Sequence, residues 1–117
     1  MFSVSLALPA STGASLARPD TPIVCLVGDG GLQFTLGELA GPREAGAWTA
    51  IMVWNNHGYG EIKDSMERAH VPPVAVDTSA RDFLRIAEGF GCRAVRAESL
   101  DALPGIIGEA FALFGVA

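Results

Sequence analysis

Basic side chains are scarce in this 117-residue chain: eight Lys and Arg stand against thirteen Asp and Glu, a formal charge of −5 at pH 7. Nucleic-acid binding rests on a basic patch, so a phosphate-backbone reader is excluded, and the few basic residues are scattered. Cysteine is nearly absent as well. Cys25 lies in an apolar run and Cys92 follows a glycine, without metal-ligand spacing or the density of a secreted disulfide scaffold. A reducing cytoplasm is the expected compartment. No apolar run approaches the roughly 18 residues of a membrane span, and the start, Met1 to Leu8, lacks a basic leader region. The expected protein is soluble, with neither nucleic acid nor membrane as partner. What is plentiful is apolar: 50% of residues are hydrophobic and 18% charged, in a length that fits one domain with a buried core.

Helix and strand signals alternate. Leu6 to Ala17 is rich in small residues and stops before Pro19, because the residue ahead of a proline is pushed out of the helical region. Ile23 to Val27 and Ala50 to Trp54 are continuous apolar runs, the pattern of strands buried on both faces. Between them, Thr35 and Glu38 have the spacing of a capping box, which predicts a helix from about Leu36. Gly37, Gly41 and Pro42 oppose a long helix there, so it should be bent or short and end by Gly46.

Phe83, Ile86, Ala87 and Phe90 recur at helical spacing, with Ser79 and Asp82 at the start and Gly91 at the stop. Cys92 to Ala97 reads as a short strand. Ser99 is placed to cap a last helix, with Leu100, Leu103, Ile107, Ala110, Phe111 and Phe114 on one face. Strands alternating with amphipathic helices imply an α/β fold with a parallel sheet.

Two polar loops follow the two apolar strands. Gly28-Asp29-Gly30-Gly31 places one carboxylate among glycines whose backbone can approach a ligand closely. Asn55-Asn56-His57-Gly58 follows the second strand. Ligands of open α/β sheets bind beyond the carboxyl ends of the strands, where both loops lie. A hard cation such as Mg²⁺ takes oxygen ligands from one or two side chains and shares the remainder with substrate phosphates. Asp29, the amide oxygen of Asn56 and a carbonyl near Gly58 suit it, and an amide adds an oxygen without adding charge, leaving the cation free to attract a diphosphate.

Gly28-Asp29-Gly30, the interval to Asn55-Asn56, and the following Gly58-Tyr59-Gly60 resemble the thiamine-diphosphate signature of the acetolactate synthase and 2-oxoacid decarboxylase superfamily. Ala7-Leu8-Pro9-Ala10 with Gly13-Ala14, the Arg18-Pro19-Asp20 linker with Pro22, and Asp82-Phe83 through Gly91 extend the resemblance to most of the chain. It implies a three-layer sandwich with a parallel sheet flanked by helices, forming a single diphosphate-binding domain over residues 1–117 that is truncated at both ends. Thiamine diphosphate and Mg²⁺ are the implied cofactors. Asp29, Asn56 and the Gly58 carbonyl would hold the metal, and Gly30 and Gly31 would offer amides to the diphosphate. Gly28, Tyr59 and Gly60 would line the same loops, and Glu61 and Ile62 would lie nearer the substrate.

The implied substrate is a 2-oxoacid, with cleavage or formation of a carbon–carbon bond. No catalytic side chain is assigned. Pyruvate decarboxylases carry a catalytic glutamate just after the signature, where this chain has Ile62, so that assignment is disfavoured. The glutamate that activates the cofactor belongs in this family to a separate pyrimidine-binding domain or subunit, which implies a homo-oligomer or another partner and no turnover by this chain alone. The ending Phe114-Gly115-Val116-Ala117 lacks the family's usual closing run, and Ser5 stands where the family tends to have glycine. A fragment of a longer enzyme and one subunit of a split enzyme both fit, and a non-catalytic interaction module is the alternative from another class. Dinucleotide binding is disfavoured because the glycine loop lacks Gly-x-Gly-x-x-Gly spacing.

Several residues have simpler explanations. Asn55 is expected to hydrogen-bond backbone, His57 and His70 to be solvated loop residues, and Glu38 and Glu61 to serve helix starts. Trp48, Trp54 and Cys25 are expected to pack.

Overall fold

The computed structural model describes residues 6–113. Expectations for Ser5 and Phe114 to Ala117 lie outside those residues.

Helix α1 (Ala7–Ala17) buries Leu8, Ser11 and Ser15, positions three and four apart that form one stripe against the sheet. It ends at Arg18, whose backbone has left the helical region ahead of Pro19. Strands β1 (Val24–Gly28) and β2 (Ala50–Trp54) pair in parallel, from Val24 opposite Ala50 to Gly28 opposite Trp54. The crossover between them holds α2 (Asp29–Gln33), a 3-10 turn (Leu36–Leu39) and α3 (Ala40–Glu44). Helices α4 (Gly60–Arg68), α5 (Phe83–Gly89) and α6 (Leu103–Ala112) follow β2. The α/β class with a parallel sheet and flanking helices is as expected.

Leu8, Cys25, Val27, Leu32 and Leu39 form the buried core, with Ile51, Val53, Phe83, Ile86 and Phe90 packed around it. Full burial of each such side chain contributes about 1.5–3 kcal/mol. The strands depart from the expectation of two covered faces. Cys25 and Val27 point inward, whereas Leu26 is 61% exposed and Val24 is exposed beside it. In a pleated strand alternate residues face opposite ways, and among the described residues α1 and α2 pack on β1 beside the core. Trp54 likewise does not pack: it is 53% exposed at the end of β2. Trp48 does, meeting Phe111 of α6 edge-on at 4.6 Å between ring centroids.

The crossover is short and bent as anticipated, and Gly46 closes it at φ 66°. The Thr35–Glu38 capping box does not form. Thr35 makes no side-chain cap bond, and its hydroxyl turns back to 3.4 Å from the Leu32 carbonyl and 3.5 Å from that of Gly31. Because α2 runs almost directly into the 3-10 turn, those carbonyls compete for the hydroxyl.

At α5, the Asp82 carboxylate accepts the Arg85 N–H at 3.1 Å. Gly91, at φ 77°, ends the helix; its N–H reaches the Glu88 carbonyl while that of Cys92 reaches Ala87. This is a Schellman closure, which favours glycine at the left-handed position. Cys92 to Ala97 is not a strand. It runs without a ladder along a cleft of about 1060 Å³ whose wall also includes residues of β2, and a strand needs a hydrogen-bonded neighbour. Ser99 provides no side-chain cap, and a 3-10 turn (Leu100–Ala102) precedes α6 and leaves Leu100 exposed. Phe111 is the buried residue of α6, with Leu103, Ile107 and Ala110 half-buried.

Candidate functional site

The pairing of Gly28 with Trp54 fixes where the polar loops begin, because the next residues, Asp29 and Asn55, leave adjacent strand ends. Neighbouring strands lie about 4.8 Å apart. Both loops therefore open on one edge of the sheet, where α/β proteins place ligands.

Asp29 begins α2 and is only 2% exposed. Its side chain has no hydrogen bond or ion pair with any described residue. A buried carboxylate is tolerated when it is paired or holds a cation, so Asp29 is a candidate to hold one. Gly30 and Gly31 follow in the first turn of α2, where amide N–H groups have no intrahelical acceptor.

The second loop folds over the first. A Cβ on Gly30 would lie 2.8 and 2.9 Å from Tyr59 Cδ1 and Cε1, and 3.7 Å from the Gly58 carbonyl oxygen. The Tyr59 ring thus occupies the space that a side chain at position 30 would need, with the Phe34 ring 6.1 Å away. Asn55 Oδ1 accepts the His57 N–H at 3.1 Å, the backbone role expected of it. Asn56 Oδ1 accepts the Gly58 N–H at 3.3 Å and keeps a second lone pair, since a carboxamide oxygen has two. A Cβ on Gly60 would come within 2.9 Å of Asn56 Nδ2. Gly60 then starts α4, with Glu61 in its first turn and exposed, as its helix-start role requires, and Ile62 exposed beside it.

His57 and His70 are exposed loop residues, as anticipated. Both adopt left-handed backbone, at φ 60° and 56°. Cys25 is a core residue, and burial raises its thiol pKa, partly countered by the Ser11 hydroxyl.

A further segment enters the site that the sequence does not signal. Val76 to Thr78 crosses the second loop: the Tyr59 N–H donates to the Val76 carbonyl at 2.8 Å and the Thr78 N–H to the His57 carbonyl at 3.1 Å. Gly58 and Asp77 form an isolated antiparallel bridge. Asp77 also pairs with Lys63 Nζ at 3.0 Å, and this hydrogen bond and charge hold the ammonium above the usual lysine range. Lys63 and Asp77 are fourteen residues apart, beyond any local periodicity. Among the described residues no three His, Cys, Asp or Glu gather as metal ligands.

The model of the thiamine pyrophosphate enzyme C-terminal TPP binding domain matches residues 2–117. The chain belongs to this family. As a TPP binding domain, it resembles the probable 2-ketoarginine decarboxylase AruI of Pseudomonas aeruginosa, with 36% identity over 93% of this chain and 20% of that protein. It is also 33% identical to the acetolactate synthase of Bacillus subtilis, over 92% of this chain and 19% of the synthase. Among solved structures, it superposes on the thiamine diphosphate-dependent 4-hydroxybenzoylformate decarboxylase of Rhodococcus jostii RHA1 with a TM-score of 0.83, at 27% identity over 91% of this chain and 20% of that one. The TPP binding domain described here thus spans about one fifth of the length of the curated relatives it matches (20% and 19%). No helix among its described residues is long and apolar enough to cross a membrane.

Proposed function

We propose that residues 1–117 form one domain that holds the diphosphate end of thiamine diphosphate through Mg²⁺, as part of a cytoplasmic acetolactate synthase-like or 2-oxoacid decarboxylase enzyme. The observation that carries this reading is Asp29, a carboxylate that is 2% exposed, without a hydrogen-bond or ion-pair partner among the described residues, and next to a carbonyl-bearing glycine loop.

Asp29, Asn56 Oδ1 and the Gly58 carbonyl are the proposed metal ligands. One anionic and two neutral oxygens leave a divalent cation net positive, which suits binding of diphosphate, and the remaining positions go to phosphate and water. The amides of Gly30 and Gly31 face the same anion, and Gly28, Tyr59 and Gly60 line its loops. Thiamine diphosphate, when bound, supplies an electron sink for cleaving or forming a carbon–carbon bond at a 2-oxoacid. The role of this chain is to bind and orient, with Glu61 and Ile62 nearer the substrate. The names of the relatives support both the decarboxylase and the synthase class. A pyrimidine-binding domain or subunit completes the site from elsewhere, the assembly is a homo-oligomer, and this chain alone does not turn over a 2-oxoacid.

Calorimetry with thiamine diphosphate tests the reading. Binding should require Mg²⁺ and disappear in Asp29→Ala. Equal affinity with and without Mg²⁺, or no binding heat from the unaltered chain, would overturn it.

A further inference from the structure

Resting on that reading of the site, we infer that Val76 to Thr78 is a positioning strap that aims the Gly58 carbonyl, and that Lys63 and Asp77 fasten it. The peptide joining Gly58 to Tyr59 is planar and trans, so its N–H and C=O point in opposite directions. The Tyr59 N–H is committed to the Val76 carbonyl at 2.8 Å. The Gly58 carbonyl must then point away from the strap, toward the side where it lies 3.7 Å from the Cβ position of Gly30. That is the side of α2, the helix that Asp29 begins.

The preceding peptide is held as well, because the His57 carbonyl accepts the Thr78 N–H at 3.1 Å. His57 sits at φ 60°, a left-handed conformation that surrounding contacts must maintain in a residue other than glycine. The strap approaches so closely that a Cβ on Gly58 would lie 2.8 Å from the Val76 carbonyl oxygen. Gly58 is thus required by the strap as much as by a ligand.

Apolar burial anchors the strap at one point. Val76 is buried, while residues 71–75 and Asp77 are exposed. Among the described residues, its side-chain tie is Asp77 to Lys63 Nζ at 3.0 and 3.4 Å, and Lys63 stands on α4, the helix that leaves the second loop. The pair therefore links the two ends of the arrangement, the strap and the helix after the loop.

The test measures Mg²⁺ affinity, as the concentration giving half-maximal thiamine diphosphate binding, together with hydrogen exchange at the Tyr59 amide. Thr78→Pro, which removes the N–H donated to His57, should weaken Mg²⁺ affinity about tenfold, as loss of groups that orient metal ligands does. Lys63→Met, which breaks an exposed pair, should cost about threefold. Both should speed Tyr59 exchange, and the exchanged pair Lys63→Asp with Asp77→Lys should restore both readouts. An unchanged Mg²⁺ affinity in both single variants, with the unaltered chain binding normally, would overturn the strap and leave the Asp29 site standing. Unchanged Tyr59 exchange in Lys63→Met would overturn the fastening role even if Thr78→Pro proved too unstable to assay. Absence of Mg²⁺-dependent binding by the unaltered chain would instead overturn the site itself, and the strap with it.

Discussion

Ser15 and Trp48 close a two-bond ring across 33 positions: the Ser15 hydroxyl donates to the Trp48 carbonyl at 2.7 Å and accepts the Trp48 N–H at 2.9 Å. A buried hydroxyl thus ties α1 to the backbone just ahead of β2. Ser15→Ala would leave both main-chain groups without this partner and should destabilise the fold by about 1–3 kcal/mol. Urea denaturation measures this, and a loss below about 0.5 kcal/mol, the range of a neutral surface change, would deny the ring a structural role.

Asp29→Ala should act in opposite directions with and without cofactor. It removes the proposed metal ligand, but in the metal-free chain it also removes a carboxylate that is 2% exposed and has no partner among the described residues. Burying an unpaired charge is unfavourable, so the metal-free melting temperature should stay level or rise while cofactor binding is lost. A clear fall in the metal-free melting temperature would mean that Asp29 is structural.

Gly30→Ala should destabilise by about 1–3 kcal/mol, since the new methyl would meet the Tyr59 ring at 2.8 Å. Tyr59→Ala opens that space, so the double variant should be more stable than the sum of the two single losses implies. Strict additivity in a double-mutant cycle would place the cost elsewhere.

Burial raises the Cys25 thiol pKa above its usual range. A group raised in the folded state contributes stability that is complete below its unfolded pKa and is lost as pH rises through the folded one, because the unfolded chain then binds fewer protons. Stability should therefore fall on the alkaline side of the ordinary thiol range, and Cys25→Val should flatten that limb. Under native conditions a thiol reagent should label half-buried Cys92 ahead of Cys25. An identical alkaline limb in Cys25→Val would remove Cys25 as its source.

Local chemistry was legible wherever neighbours in sequence are neighbours in space. Ala50 to Trp54 is a strand with the expected bounds, Asp82 caps α5, and Gly91 ends it in left-handed backbone. The misreadings arise where another segment decides. Thr35 and Glu38 have capping-box spacing, but the end of α2 supplies competing carbonyls at Gly31 and Leu32. Cys92 to Ala97 has a strand's composition and no ladder partner among the described residues. Leu26 and Trp54 belong to apolar runs, yet composition alone does not reveal which sheet face is covered. At the candidate site, Asp29 and Asn56 could be named from their types and places after strands, whereas Asp77 and Lys63 could not. Their pairing exists only after the chain has turned back over the loop.

The parallel register also acts as a ruler for the candidate site. From Val24 opposite Ala50 to Gly28 opposite Trp54, the strands count in step, and the two polar loops begin where the counting stops. Deleting one residue within either strand would move one loop along the other by about 3.3 Å, more than the length of a metal–oxygen bond, and would turn alternate side chains to the wrong face. A residue added to the exposed Glu44–Gly46 corner of the crossover leaves that count untouched. Tolerance to changes in length should therefore be found in the corner between the strands, while the strands themselves admit none.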